Sequence, residues 1–314
     1  VNAPIPFVVN PDYRFAREWL AALQREMPGE RIVPLNELDT AAKAESTFAI
    51  VINPLPEDIR QLPRLAWVHS VWAGVERLVT DLADTDLKIV RLVDPQLADT
   101  MAEAVLAWTM FLHRDMPLYA AQQREHIWMP LEYTRAQAKT IALLGLGALG
   151  EAAARRLLDA GFNVCGWSRT RKTLAGVECF AGESELPAML AKADILICLL
   201  PLTAGTNDLL NAETLGHVPS GASLINFARG PIISDHALRA CLDNGHIKHA
   251  VLDVFSVEPL PPDAWQWAHP DVTVLPHISA PTDCRTASAI IAQNINRYRE
   301  TGQIPESVDR ARGY

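Results

Sequence analysis

The first chemical signal in the sequence is the hexapeptide Gly145-Leu-Gly147-Ala148-Leu149-Gly150. It follows the apolar run 140–144 and opens an amphipathic stretch that runs toward Gly161. In that setting Gly145 makes a tight turn, Gly147 lets backbone approach a pyrophosphate, and Gly150 lets helix and strand pack closely. The phosphates then rest on N–H groups at the positive end of a helix. A plain tight turn between strand and helix is the other reading. About twenty residues on, an NAD site usually carries Asp or Glu for the ribose 2′-hydroxyl. Here the sequence reads Ser168-Arg169-Thr170-Arg171-Lys172, a run of hydroxyls and cations without a carboxylate. Arginine offers phosphate a charged fork, so the run suits a 2′-phosphate; a solvated basic loop is the alternative. NADPH is the expected cofactor, with NAD(H) as a weaker one.

Three charged residues fall just after apolar runs in the second half: Arg229 after 225–228, Glu258 after 254–257 and His277 after 274–276. Ligands of open α/β sheets lie beyond the carboxyl ends of the strands, so the three can converge on a nucleotide. Taken singly, Arg229 reads equally as a surface cation, Glu258 as a turn residue before Pro259, and His277 as a satisfied loop histidine. The five cysteines are odd in number, widely spaced and without a CxxC pair, which suits a reducing compartment. Cys198, inside the apolar run 195–200, reads as a buried small hydrophobe. His246 and His249 are too few for a closed zinc site, and no metal is expected.

The elements that must position these groups follow from periodicity. Short apolar runs at 7–10, 48–53, 65–70 and 88–93, with a helical stretch at 13–27, give the first part an α/β pattern. Runs at 140–144, 163–167, 195–200, 223–227, 249–255 and 272–276 alternate with helical patterns such as 150–160 and 235–244. Such runs separated by helices predict parallel sheets covered on both faces. A single helix is expected over 99–121, its start set by Asp99, and another over 284–301 that returns to the first domain. The chain of 314 residues therefore reads as two domains, a discontinuous one over 1–98 and 283–314 and a nucleotide-binding one over 99–282. Charges sum to −9 and the pI is about 5.5, which argues against a general nucleic-acid surface. No apolar run approaches the roughly 20 residues of a membrane span, and residues 1–10 lack a basic leader. A cytoplasmic address with neither membrane nor nucleic acid as partner is expected.

Together the motifs resemble the D-isomer-specific 2-hydroxyacid dehydrogenases. The resemblance is carried by 145–150, Asn226-Phe-Ala-Arg229-Gly230, Leu252-Asp-Val-Phe-Ser-Val-Glu258-Pro259 and Pro276-His277-Ile-Ser-Ala280. In the first half, Val68-His-Ser-Val-Trp72-Ala73-Gly74-Val75 looks like the family's substrate loop. Within the family, Trp167-Ser-Arg-Thr-Arg-Lys172, Trp128-Met-Pro-Leu-Glu-Tyr133 and the tail 308–314 look most like the glyoxylate/hydroxypyruvate reductase A branch. Pro231-Ile-Ile-Ser, after Arg229-Gly230, is a departure that leaves the roles intact.

The resemblance implies a Rossmann-type cofactor domain, a flavodoxin-like substrate domain and an active site in the cleft between them. It implies NADPH-dependent reduction of small 2-oxoacids, glyoxylate to glycolate and hydroxypyruvate to D-glycerate. His277 would donate the proton, Glu258 would hold the imidazolium, and Arg229 would bind the substrate carboxylate and polarise the carbonyl. Backbone amides at Trp72, Ala73, Gly74 and Val75 would receive the carboxylate's other oxygen. Leu200, Pro201, Phe227, Ala228, Asp253, Ser279 and Ala280 join the glycine turn and 168–172 as expected cofactor contacts; Asp253 reads almost equally as a strand-end turn carboxylate. Trp128, Met129, Trp265 and Trp267 are candidates for the substrate pocket. The helix expected over 99–121 and the segment after it resemble the family's dimer-forming elements, so a homodimer is expected. The alternatives are another family member acting on D-lactate, phosphoglycerate or formate, and a nucleotide-sensing corepressor scaffold.

Overall fold

The computed structural model describes residues 3–310, so Val1, Asn2 and, of the tail motif, residues 311–314 lie outside the described residues. The chain divides into two compact units, one from Val1–Gln96 with Thr282–Tyr314 and the other from Leu97–Pro281. Among the described residues no helix is long and apolar enough to cross a membrane.

The first unit is built on five strands: β1 (Ile5–Val9), β2 (Ile32–Pro34), β3 (Phe48–Ile52), β4 (Trp67–Ser70) and β5 (Lys88–Val90). They pair in parallel in the order β2-β1-β3-β4-β5, the flavodoxin-like order. β3 is buried along its whole length, as a central parallel strand covered on both faces must be. Phe48, Ile50 and Ile52 face one apolar cluster, Ala49 and Val51 the other, the two-residue period of a strand. The helix Cys284–Thr301 packs Ala287, Ile291 and Ile295 into the first of these clusters beside Trp19 and Leu23. Its limits follow local chemistry: the Asp283 side chain accepts from the Arg285 amide, and Gly302 ends the helix at φ 68°.

Seven parallel strands form the second sheet: β6 (Thr140–Leu144), β7 (Asn163–Ser168), β8 (Val177–Ala181), β9 (Ile195–Cys198), β10 (Ala222–Asn226), β11 (Ile247–Leu252) and β12 (Val272–Val274). The order β12-β11-β10-β9-β6-β7-β8 reverses direction between β6 and β9, the switch point at which doubly wound sheets bind ligands. Ile141 and Leu143 face one apolar layer, Ala142 and Leu144 the other.

Three expectations need correction. β2 and β8 are absent from the strands expected above; both are edge strands, β2 only three residues long and ending in a proline, and β8 broken by Glu178 among its apolar residues. The helix expected over 99–121 is two helices, Pro95–His113 and Met116–Arg124, broken at Asp115, which sits at φ 54°. Pro117 lacks the N–H a continuous helix would need there, and it stands in the first turn of the second helix. The first helix also starts four residues earlier than Asp99, because Asp94 accepts from the Gln96 amide at 2.9 Å.

Candidate active site

β6 is fully apolar from Ile141 to Leu144 and delivers the chain to Gly145 at φ 106°. A Cβ there would be strained and 3.0 Å from the Leu199 carbonyl oxygen, at the end of the neighbouring strand β9. A Cβ on Gly150 would sit 1.8 Å from the Gly145 carbonyl oxygen, so the first helical turn closes directly on the glycine turn. Gly147 is different: a Cβ would meet nothing within 4 Å. It is the N-cap of the helix Ala148–Asp159 and supplies no side-chain cap, so the amides of Ala148, Leu149 and Gly150 lack an acceptor within the helix. An open side at Gly147, next to donors at a helix N-terminus, is what a pyrophosphate needs. The residues fit a dinucleotide.

At the end of β7, Ser168 Oγ donates to the Thr170 carbonyl at 2.8 Å, and no carboxylate occupies the strand-end position. Arg169, Thr170 and Lys172 are exposed. Arg171 instead turns its guanidinium back to the Cys179 carbonyl and Glu185. Leu200 is buried beyond β9, and the Pro201 carbonyl accepts from Thr206 Oγ1.

Beyond β10 the chain turns through Phe227 and Ala228, both buried, to Arg229. Asn226 holds this turn from both sides: Oδ1 accepts from the Ala228 amide and Nδ2 donates to the Arg229 carbonyl, each at 3.1 Å. Gly230 comes next because a Cβ there would lie 2.1 Å from the Phe255 carbonyl carbon, so Arg229 is carried against the segment after β11. That segment contains Glu258, whose Oε1 accepts from the Phe255 amide at 2.8 Å and whose Oε2 meets His277 Nδ1 at 2.7 Å. Among the described residues no partner meets His277 Nε2.

The electrostatics arise from these contacts. The Glu258 hydrogen bond and charge raise the His277 pKa above its ordinary value, against burial and the Arg229 charge. Burial works to raise the Glu258 pKa. Hydrogen bonds from His277 and the Phe255 amide, with the His277 and Arg229 charges, outweigh it and hold the carboxyl low. The pair thus favours the charged imidazolium beside an ionised carboxylate. His277 lies at φ 55°, an uncommon conformation for a residue with a Cβ. Asp253 sustains it: its carboxylate accepts from the Ile278 amide at 2.7 Å, the Ser279 amide at 2.9 Å and Ser279 Oγ at 2.6 Å.

Arg229, Glu258, His277, Asp253 and Ser279 are thus brought together in the second unit. The loop from Trp72 to Val75 belongs to the first unit. There the Trp72 amide donates to Ser70 Oγ, and its ring packs edge-on against Tyr13 and Trp19. Trp265 and Trp267 spend their indole N–H groups on Asp235 and the Pro261 carbonyl, whereas Trp128 is 99% exposed. Cys198 is fully buried, its thiol pushed up to about 12 by burial. His246 meets the Leu215 carbonyl and His249 meets Thr273 Oγ1. Sequence reasoning misses Asn226 and Gly230 as site residues; the available signal is a polar residue closing an apolar strand three places before Arg229.

A nucleotide-binding parallel sheet whose strand ends carry an arginine and a histidine–glutamate pair defines a class of dehydrogenases. Residues 106–279 match the NAD binding domain of the D-isomer specific 2-hydroxyacid dehydrogenases, and the chain belongs to that family. It is an NAD(P)-dependent oxidoreductase whose reaction type is hydride transfer between a nicotinamide and a 2-hydroxyacid or 2-oxoacid. The chain is 35% identical over 303 residues to glyoxylate/hydroxypyruvate reductase A of Salmonella newport, covering 94% of this chain and 96% of that protein. It is similar to a D-isomer specific 2-hydroxyacid dehydrogenase of Xanthobacter autotrophicus solved with NADPH and MES, at 39% identity, TM-score 0.92 and full coverage of both chains. An NADPH-dependent glyoxylate/hydroxypyruvate reductase of Sinorhizobium meliloti, solved with NADP and sulfate, is 32% identical with TM-score 0.90, covering 99% of this chain and 100% of that one.

Proposed function

We propose that this protein reduces glyoxylate to glycolate and hydroxypyruvate to D-glycerate with NADPH, using His277 as the proton donor. The observation that carries the reading is the 2.7 Å contact between His277 Nδ1 and Glu258, which leaves Nε2 as the ring nitrogen to serve a substrate. When bound, the reduced nicotinamide supplies the hydride that reaches the keto carbon. His277 Nε2–H gives its proton to the carbonyl oxygen as negative charge gathers there. Glu258 favours the charged ring before transfer and, once Nε2 has given up its proton, keeps the remaining one on Nδ1. Arg229 takes the substrate carboxylate in a two-pronged contact and polarises the carbonyl. Gly145, Gly147 and the amides of 148–150 hold the pyrophosphate, and Ser168 with Arg169 and Lys172 receives the 2′-phosphate. The names of the Salmonella and Sinorhizobium relatives support both the substrates and NADPH.

The exposed apolar side chains of Ile127, Trp128, Met129 and Tyr133 support a homodimer that covers them. Five free cysteines suit a reducing, cytoplasmic compartment. The test is a panel of 2-oxoacids assayed with NADPH and NADH. Glyoxylate and hydroxypyruvate should show higher kcat/KM than pyruvate or branched oxoacids. A panel led by branched or aromatic oxoacids overturns the substrate assignment, and the absence of turnover on every oxoacid overturns the enzymatic one.

A further inference from the structure

The segment between β7 and β8, residues 169–176, is tied down at several points. Trp167 Nε1 donates to the Gly182 carbonyl at 2.8 Å, the Gly182 amide donates to the Ser168 carbonyl at 3.3 Å, and Ser168 Oγ closes on Thr170. A further tie is a side-chain clamp. Arg171 Nη1 donates to the Cys179 carbonyl at 3.0 Å and Nη2 pairs with Glu185 Oε1, while Glu185 Oε2 accepts from the Ala181 amide at 2.7 Å. A single carboxylate therefore joins the loop to the end of β8. The Ala181 amide and the Arg171 guanidinium hold that carboxyl below its ordinary pKa, so the clamp is charged at neutral pH.

We propose that Glu185 is a positioning residue for cofactor selectivity, which fixes Arg171 and through it the turn that presents Arg169 to a 2′-phosphate. Arg171 then acts as an anchor and not as a phosphate ligand, because its fork is already divided between two acceptors. The turn is short: Arg169 stands between Ser168, bound to Thr170, and the clamped Arg171, so its backbone is set from both sides. This inference rests on the reading that NADPH is the preferred cofactor.

The test is a double-mutant cycle, with dissociation constants for NADPH and NADH measured by calorimetry without substrate, and Tm recorded for each protein. Glu185→Ala should weaken NADPH roughly 2- to 5-fold, the range for an exposed ion pair, and leave NADH unchanged. Arg171→Ala should match it, and the double variant should be no weaker than either single one. Arg171→Lys keeps the charge but not the fork and should behave like Arg171→Ala. Tighter NADPH binding by Glu185→Ala would make Glu185 a repelling charge and overturn the proposal. So would equal losses for both cofactors, additive losses in the double variant, or a wild-type-like Arg171→Lys. Wild-type protein that binds NADH at least as tightly as NADPH overturns the cofactor reading and the clamp with it. A wild-type preference for NADPH that Glu185→Ala leaves intact overturns the clamp alone.

Discussion

Asp253 accepts both the amide and the hydroxyl of Ser279, at 2.9 and 2.6 Å, with the same carboxylate oxygen. Its other oxygen takes the Ile278 amide, so the carboxylate at the end of β11 grips the two residues after His277. His277 itself sits in the left-handed region, where a residue with a Cβ persists only if its surroundings over-determine it. Asp253→Asn should loosen that grip, since an amide group cannot accept on both sides. Each hydrogen bond to a buried charge contributes about 1.5–3 kcal/mol, so urea unfolding should show a loss of that order, with kcat reduced more than cofactor affinity. Unchanged kcat in a stably folded variant would remove Asp253 from the support of His277.

The pH dependence is set by the direction of the His277 shift. The folded-state pKa lies above the ordinary value, so the ring stays protonated past pH 6.5 and oxoacid reduction declines as pH rises through the raised pKa. Glu258→Gln removes the carboxylate charge and weakens the hydrogen bond to Nδ1, and should move that limb to lower pH. His277→Asn should abolish the limb and reduce kcat by roughly 10²–10⁴-fold. A pH–rate profile that does not move in Glu258→Gln would break the link between the two residues.

Acid stability has a separate source. Burial lowers the pKa of His69 on β4 and His249 on β11 to about 4 each. His69 is enclosed between the Ser70 carbonyl and the Asn294 amide group. For a histidine lowered in this way the unfolded chain binds the extra proton first. Stability is full above about pH 6.5 and falls as pH drops toward 4, by on the order of 3 kcal/mol per group. Unfolding free energies between pH 7.5 and 4.5 should show this slope, and His69→Asn should flatten it. A slope that survives both this change and His249→Asn would place the acid sensitivity elsewhere.

Much of this site is legible in the amino-acid sequence, and for a physical reason. Gly145 and Gly150 are forced by backbone geometry, Gly147 leaves an open side between them, and Arg229, Glu258 and His277 stand out by the placement of charge at the ends of apolar strands. Contact made through backbone and long-range pairing is hidden there. Asn226 is buried against its own turn, Gly230 is demanded by Phe255, and Arg171 is taken by Glu185, fourteen residues away. β2 escapes because it is only three residues long and ends in a proline, and β8 because Glu178 interrupts its apolar residues, whereas the broken helix at Asp115 is readable from Pro117.

Cofactor choice is tested at Arg169. A 2′-phosphate adds charge where NADH carries a hydroxyl, and a hydrogen bond to a charged group is worth about 1.5–3 kcal/mol. Arg169→Ala should therefore weaken NADPH roughly 10- to 150-fold and leave NADH nearly unchanged. Raised salt should weaken NADPH binding more than NADH binding, because exposed charges are screened. Equal losses for the two cofactors would make Arg169 a structural residue.

The glycine turn offers the sharpest separation of folding from binding. Gly147 and Gly150 stand three residues apart in one motif, yet an added methyl meets different fates. At Gly147, φ is −79° and a Cβ would touch nothing within 4 Å, so Gly147→Ala should fold with a Tm close to wild type. The space that methyl fills is the space assigned to the pyrophosphate, which NADPH and NADH share. Affinity for both should fall together, and the ratio between them should stay constant. At Gly150 the same methyl would be 1.8 Å from the Gly145 carbonyl oxygen, a backbone atom that cannot rotate away. The helix Ala148–Asp159 must then shift from β6, and overpacking of this kind costs about 1–3 kcal/mol or more. Gly150→Ala should lower Tm and bind both cofactors poorly. Thermal melts with calorimetric titration of each cofactor separate the cases. A Gly147→Ala protein that binds both cofactors at wild-type strength would show that the open side of the turn does not hold the phosphates.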